Sequence, residues 1–246
     1  MEAEPTKMPV LDDQMEEQCT NPKLKEECSC PKLEEECSGP KLEEEWTDPK
    51  WKIVSMLLLY PGTAEFPAIL AEAFDWALEL TGPCESDADA FMPLVRLIQT
   101  LKATDVATLE AQYTRCFDFS ASTCLYLTAH ELGDSRKRGL ALVALRRMLR
   151  TAGFAEDGLE LPDYLPLLFE FLAAKPVEFD ASDLELRIAR VVHVILQALR
   201  DDNSYRNLFS VLTSYLPPAH LPDGGFAFAN REAADLDELP YPLHYD

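Results

Sequence analysis

The chain encodes an all-α protein, a single helical bundle with disordered N- and C-terminal tails, and three observations predict it. Apolar residues recur at the i, i+3, i+4, i+7 spacing of a helix face from Trp51 to Leu216. Glycine is scarce, nine in 246 residues, and no alternating run lies between turn signals, which argues against a sheet and against a glycine-rich phosphate loop. Breakers at Pro61-Gly62, Gly82-Pro83, Gly133, Gly153, Gly158 and Pro217-Pro218 divide the periodic stretch into helix-sized pieces.

The pieces follow in order. Trp51 to Tyr60 is an apolar run closed by Pro61-Gly62, and Glu65 to Thr81 is closed by Gly82-Pro83. Asp87 to Lys102 and Asp105 to Phe117 come next; Tyr113 and Phe117 are four apart and share a face, as core pairs do, with Asp118 just beyond. Ser122 to Leu132 stops at Gly133. In Ser135 to Ala152, Ala141, Leu145, Met148, Leu149 and Ala152 form one arc, while Arg136, Arg146, Arg147 and Arg150 form the opposite, solvated arc. Arg138 falls on the apolar arc, where it either meets an acid (Asp118, Glu160 or Asp163) or snorkels to solvent from the first turn. In Tyr164 to Ala174, Asp163 is a natural N-cap and Pro166 sits in the first turn, where a missing N–H costs little. Leu165, Leu168, Phe169 and Leu172 make the buried stripe and Pro176 the stop, so Glu160 and Asp163 are two acids held at a helix mouth. Ser182 to Arg200 gathers Leu184, Ile188, Val191, Val192, Ile195 and Leu199 on one wide face and should pack centrally. Ser204 to Leu216 closes at Pro217-Pro218.

Residues 1–50 differ in kind. Prolines at 22, 31, 40 and 49 punctuate a nine-residue repeat, Pro-Lys-Leu followed by acids, which breaks any helix once per repeat. With 15 acids, 6 bases and few apolar residues, this segment predicts a disordered acidic tail. Its Cys19, Cys28, Cys30 and Cys37 lack the paired spacing of a zinc knuckle; Cys28 and Cys37 occupy the repeat position that Trp46 takes next. Residues 221–246 carry 6 acids against 1 base and read as a flexible tail, leaving 51–220 as the helical domain. The net charge of −22 disfavours nucleic acid and anionic membrane and suits basic peptides, although it also serves plain solubility. The acidic N-terminus has no apolar signal region, and the apolar run Ile53 to Tyr60 is too short to span a bilayer. Arg146-Arg147 lies inside an amphipathic helix and is no export signal. Seven cysteines without a targeting signal predict free thiols in the cytoplasm, with Cys116 and Cys124 as buried ones.

Four strings in order, Leu57-Leu58-Leu59-Tyr60-Pro61, then Tyr113 with Phe117-Asp118, then His130-Glu131-Leu132-Gly133-Asp134-Ser135-Arg136-Lys137-Arg138-Gly139, then Glu160-Leu161-Pro162-Asp163-Tyr164-Leu165-Pro166, resemble the NarJ/TorD family of molybdoenzyme assembly chaperones, the nitrate reductase branch most closely. The resemblance implies a non-catalytic cytoplasmic chaperone without a cofactor of its own. It would bind the N-terminal leader of a nitrate reductase catalytic subunit, keep that subunit open for insertion of bis-molybdopterin guanine dinucleotide, and delay membrane attachment. It also implies that Glu160, Pro162, Asp163 and Tyr164 shape the client site, joined by Tyr60, Tyr113, Phe117, Asp118, Tyr126, His130, Glu131, Arg136 and Arg138. His130 and Glu131, as neighbours in a helix, point different ways, and His130 reads equally as a surface residue.

Three other readings stay open, one of them an interaction protein whose function lies in the repeated acidic tail, with the bundle as a platform. The client could be another molybdenum reductase acting on dimethyl sulfoxide, trimethylamine N-oxide, selenate or chlorate. Alternatively, Asp118, Glu160 and Asp163 could surround a divalent metal in a helical hydrolase, although a helix N-terminus holds carboxylates ionised rather than preparing them to donate protons. No H-E-x-x-H or G-x-S-x-G motif is present, and the four histidines show no metal spacing.

Overall fold

A computed structural model of the chain describes residues 46–82, 85–154 and 160–219, all within the unit Trp46–Asp246. The N-terminal repeat with its four cysteines, the C-terminal tail and Gly158 lie outside the described residues. Those described form nine α-helices: α1 (Pro49–Leu57), α2 (Phe66–Leu80), α3 (Glu85–Ala103), α4 (Val106–Tyr113), α5 (Leu127–Leu132), α6 (Lys137–Thr151), α7 (Leu165–Ala174), α8 (Ser182–Ala198) and α9 (Ser204–Tyr215). No helix among them is long and apolar enough to cross a membrane.

Local chemistry explains several ends. Proline occupies the first turn of α1, α2 and α7, where its missing N–H is already an orphan. Asp105 caps α4 by accepting from the Thr108 N–H, and Asn203 caps α9 by accepting from the Tyr205 N–H. Gly133 ends α5 with φ of 57° and Gly153 ends α6 with φ of 79°, backbone shapes that an L side chain resists.

Packing places α1 against α7 and α2, α2 against α3, and α8 against α9, which also meets α3 and α4. α1 is central: Ile53, Val54, Leu57 and Leu58 are fully buried, and Trp51 stacks on Phe169 of α7 at 5.4 Å. The wide apolar face of α8 is inside as expected, with Leu184, Ile188, Val191, Val192 and Ile195 buried against α9 and α5. α6 is peripheral, held by Leu145, Leu149 and its contact with α5.

Three differences from the sequence reading matter for function. The first helix begins at Pro49, and Trp46 packs on the core, so the folded part starts a few residues before Trp51. The helix expected from Ser122 begins only at Leu127, because Tyr126 is drawn into an antiparallel bridge with Tyr164. The helix expected from Asp105 to Phe117 leaves α geometry after Tyr113 and closes in a π-turn, Thr114–Asp118, sealed by Phe119 N–H donating to the Thr114 carbonyl at 3.3 Å.

Candidate functional site

The Tyr126–Tyr164 bridge creates the site. Leu127 N–H donates to the Asp163 carbonyl and Leu165 N–H to the Leu125 carbonyl, both at 2.8 Å, so residues 163–165 run beside 125–127. That register turns the Asp163 side chain toward the start of α5. Its Oδ2 accepts from the Thr128 backbone N–H at 3.2 Å and from the Thr128 hydroxyl. Asp163 therefore caps α5, a helix it does not belong to, and corrects the expectation that it caps α7; there the N-cap residue is Tyr164, which makes no side-chain cap.

Arg138 closes the arrangement. Its Nε–H donates to the Thr128 hydroxyl oxygen at 3.2 Å and its terminal nitrogen lies 3.5 Å from Asp163 Oδ2. Of the three acids considered for Arg138, the fold supplies Asp163, which is wholly buried. A carboxylate removed from water is tolerable here because a cation and two donors face it.

Beside this buried knot runs a row of tyrosines. Tyr60 meets Tyr113 edge-on at 5.5 Å, Tyr113 and Tyr164 share a hydroxyl–hydroxyl hydrogen bond of 3.3 Å, and Tyr164 lies 5.4 Å from Tyr126. The Tyr113 hydroxyl donates to the Leu58 carbonyl at 3.1 Å, so its oxygen accepts from Tyr164. Phe117, Tyr205 and Phe209 back the row from beneath, Phe117 touching Tyr113 at 4.9 Å and Tyr205 at 5.2 Å. Burial pushes the phenols of Tyr113, Tyr164 and Tyr126 upward, and neighbouring negative charge adds to this, Glu160 at Tyr126 and Tyr164 and Asp118 at Tyr113 and Tyr164. These phenols stay neutral donors at physiological pH.

The expected site residues separate by exposure. Tyr60, Asp118, Glu160 and Arg136 are exposed, and Tyr126, Tyr164, Glu131 and Arg138 are half-buried. Tyr113, Phe117, Pro162, Asp163 and His130 are buried, so they shape the site from within and offer no contact surface. His130 corrects the surface reading: its Nε2 lies 2.8 Å from the Cys124 carbonyl, and burial lowers its pKa. Glu131 points away from the row to α8, where Arg187 grips it through two bonds of 2.8 and 2.7 Å. That pairing raises the Arg187 pKa.

Sequence reasoning missed Glu110, Thr128 and Phe119. Glu110 accepts from the Tyr60 hydroxyl at 3.3 Å; it stands three residues before Tyr113, a helical-face signal that could have found it. Thr128 gave no signal of its own, since its role depends on a strand of chain 35 residues away. Phe119, 83% exposed just past the π-turn, walls a shallow depression with Glu110, Thr114 and Arg115. Asp118, Glu160 and Asp163 do not gather into a metal-holding group: the first two are exposed and the third is committed to Thr128 and Arg138. Among the described residues no group of histidines, cysteines and acids is placed to hold a metal ion. Cys116 and Cys124, expected as buried thiols, are half-buried, and the burial they do have pushes their thiol pKa up.

The described residues thus form an all-α scaffold whose polar residues brace an aromatic, acid-flanked surface. The model of the nitrate reductase delta subunit family matches residues 84–204. The chain is 32% identical over 123 residues to the probable nitrate reductase molybdenum cofactor assembly chaperone NarJ of Bacillus subtilis (strain 168), covering 50% of this chain and 67% of that protein. It is 34% identical over 161 residues to the NarJ chaperone of Escherichia coli (strain K12), covering 65% and 66%, and 30% identical over 149 residues to the probable chaperone NarW of the same organism, covering 58% and 57%. The chain belongs to this family of nitrate reductase assembly chaperones. It spans about two thirds of the length of the two NarJ relatives.

Proposed function

We propose that the protein is a cytoplasmic chaperone that binds the N-terminal leader of a respiratory nitrate reductase catalytic subunit and supports molybdenum cofactor insertion before that subunit reaches the membrane. The observation that carries this reading is the set Tyr60, Tyr164 and Tyr126, linked through buried Tyr113, with Glu110, Asp118 and Glu160 around it. Half-exposed aromatics accept the apolar anchors of an amphipathic helix, and a surrounding set of acids favours a basic one. The buried Asp163–Arg138–Thr128 knot holds this surface in one shape, so little ordering entropy is lost on binding. The chaperone holds no cofactor of its own; insertion refolds the client, and release follows from its lower affinity for the filled state. The helical unit that begins at Trp46 carries the activity, with acidic segments on either side.

Calorimetric titration of the full chain with a peptide of the first ~25 residues of the catalytic subunit, a helix plus flank, tests the assignment. Expected are saturable binding, a negative heat-capacity change and weakening by salt. Tyr60→Ala, and Asp118→Asn combined with Glu160→Gln, should each weaken binding about tenfold, roughly 1.4 kcal/mol. Absence of binding at high micromolar peptide would reject this client, and the leaders of the other molybdenum reductases would be tried next.

A further inference from the structure

We propose that the depression beside the tyrosine row is a receptor for one cationic side chain, a lysine or arginine of the bound leader, with Glu110 as counter-charge, the Phe119 ring as wall and Gly62 as the residue that positions Glu110. This role rests on the leader-binding reading and specifies one residue type that the leader must carry. The depression, about 450 Å3, lies over α4 and the π-turn and is lined by Ala107, Glu110, Ala111, Thr114, Arg115 and Phe119. Phe119 stands 83% exposed at it, although phenylalanine is among the residues most often buried.

Close approach at Gly62 builds the site. A Cβ at position 62 would stand 2.0 Å from Glu110 Oε1 and 2.5 Å from Tyr60 Cε1, so glycine leaves the room that these two side chains occupy. The Tyr60 hydroxyl donates to that same Oε1 at 3.3 Å, which joins the depression to the tyrosine row. Among the described residues this long bond is the carboxylate's one partner, so Glu110 keeps acceptor capacity for a second, charged donor. A carboxylate and an aromatic face on one small depression suit a cation with an apolar stem: the charged head pairs with the acid while the stem lies along the ring. Arg115 decides where that head sits. Its guanidinium reaches the Cys116 thiol, where it opposes the upward pKa shift that burial causes, and as a like charge it leaves the Glu110 end to the incoming cation. An acidic side chain in that place would face Glu110 and is disfavoured.

The test titrates the full chain calorimetrically with the same ~25-residue leader peptide and with a set in which each lysine is replaced in turn by norleucine and each arginine by citrulline. These changes keep the stem and remove the charge. One replacement should weaken binding about tenfold in the parent but less than about twofold in Glu110→Gln, the mark of a direct pair. Phe119→Ala should shrink the effect of that same replacement, and circular dichroism of both variants should match the parent. Gly62→Ala meets the ends of two flexible side chains, so its melting temperature should stay that of the parent while its affinity falls about tenfold through the displaced Glu110. A lowered melting temperature with unchanged affinity would overturn the positioning role of Gly62. Saturable binding in which no basic position of the leader couples to Glu110 would overturn the receptor and leave the leader-binding reading standing. Absence of binding to the parent would overturn both.

Discussion

Asp163 shows how much one carboxylate can organise. It caps α5, neutralises Arg138 and supports the turn that presents Tyr164, all from a position with no exposed surface. Asp163→Ala leaves a half-buried guanidinium and an orphan N–H facing a void, and should cost about 3 kcal/mol in urea unfolding. The residue's importance was legible in the sequence but its partner was not: a short acid before a proline-bearing helix signals a cap, and only the tertiary bridge decides which helix is capped. His130 offers a pH test. Burial disfavours the imidazolium, so the folded ring titrates below its ordinary value near 6.5. Above that value both folded and unfolded states carry a neutral ring and stability is flat. Below it the unfolded chain takes up a proton that the folded chain refuses, so stability falls as pH falls, by up to about 1.4 kcal/mol per unit until the folded ring also protonates. His130→Asn should remove this slope, as read by denaturant midpoints at about pH 7 and about pH 5.5.

At the level of elements, the helices that declare themselves by a wide apolar face, α7, α8 and α9, were readable, because their burial is set by spacing alone. Residues 122–126 were not. Their composition permits helix, yet two backbone hydrogen bonds to residues 163 and 165 outweigh that local preference. The site was readable to the same extent. The tyrosines and acids stood out by type, while their division into surface and support, His130 inside and Glu160 outside, depends on which side of each short helix meets the core. Gly133 marks where the chain must turn sharply between α5 and α6. No atom lies within 4 Å of the position a Cβ would take, so Gly133→Ala meets only the backbone cost of φ near 57°. With ψ of −135° the position lies outside the left-handed helical region, so that cost should be about 2 kcal/mol, measurable as a lowered melting temperature without loss of helix content.

For the molecule as a whole, charge is divided by region. The two acidic ends hold −9 and −5 of the −22, so the helical body is only mildly acidic. On the proposed function, selectivity for a basic leader would arise locally, at Glu110, Asp118 and Glu160, and removal of residues 1–45 should leave affinity for the leader peptide at physiological salt unchanged in the same calorimetric assay. The π-turn at Thr114–Asp118 sets a different kind of limit. It is one residue more than an α-helix needs, and the surplus lets Phe117 lie under Tyr113 while Phe119 swings out to solvent. For a mutating lineage, the count of residues in this segment is therefore less forgiving than their identity. Exposed Arg115 can be exchanged at little cost, whereas loss of any single codon between 114 and 118 would restore regular helix and rotate everything beyond it by about 100°. The aromatic floor and the acid beside it would then face the wrong way, in a protein that still looked fully helical.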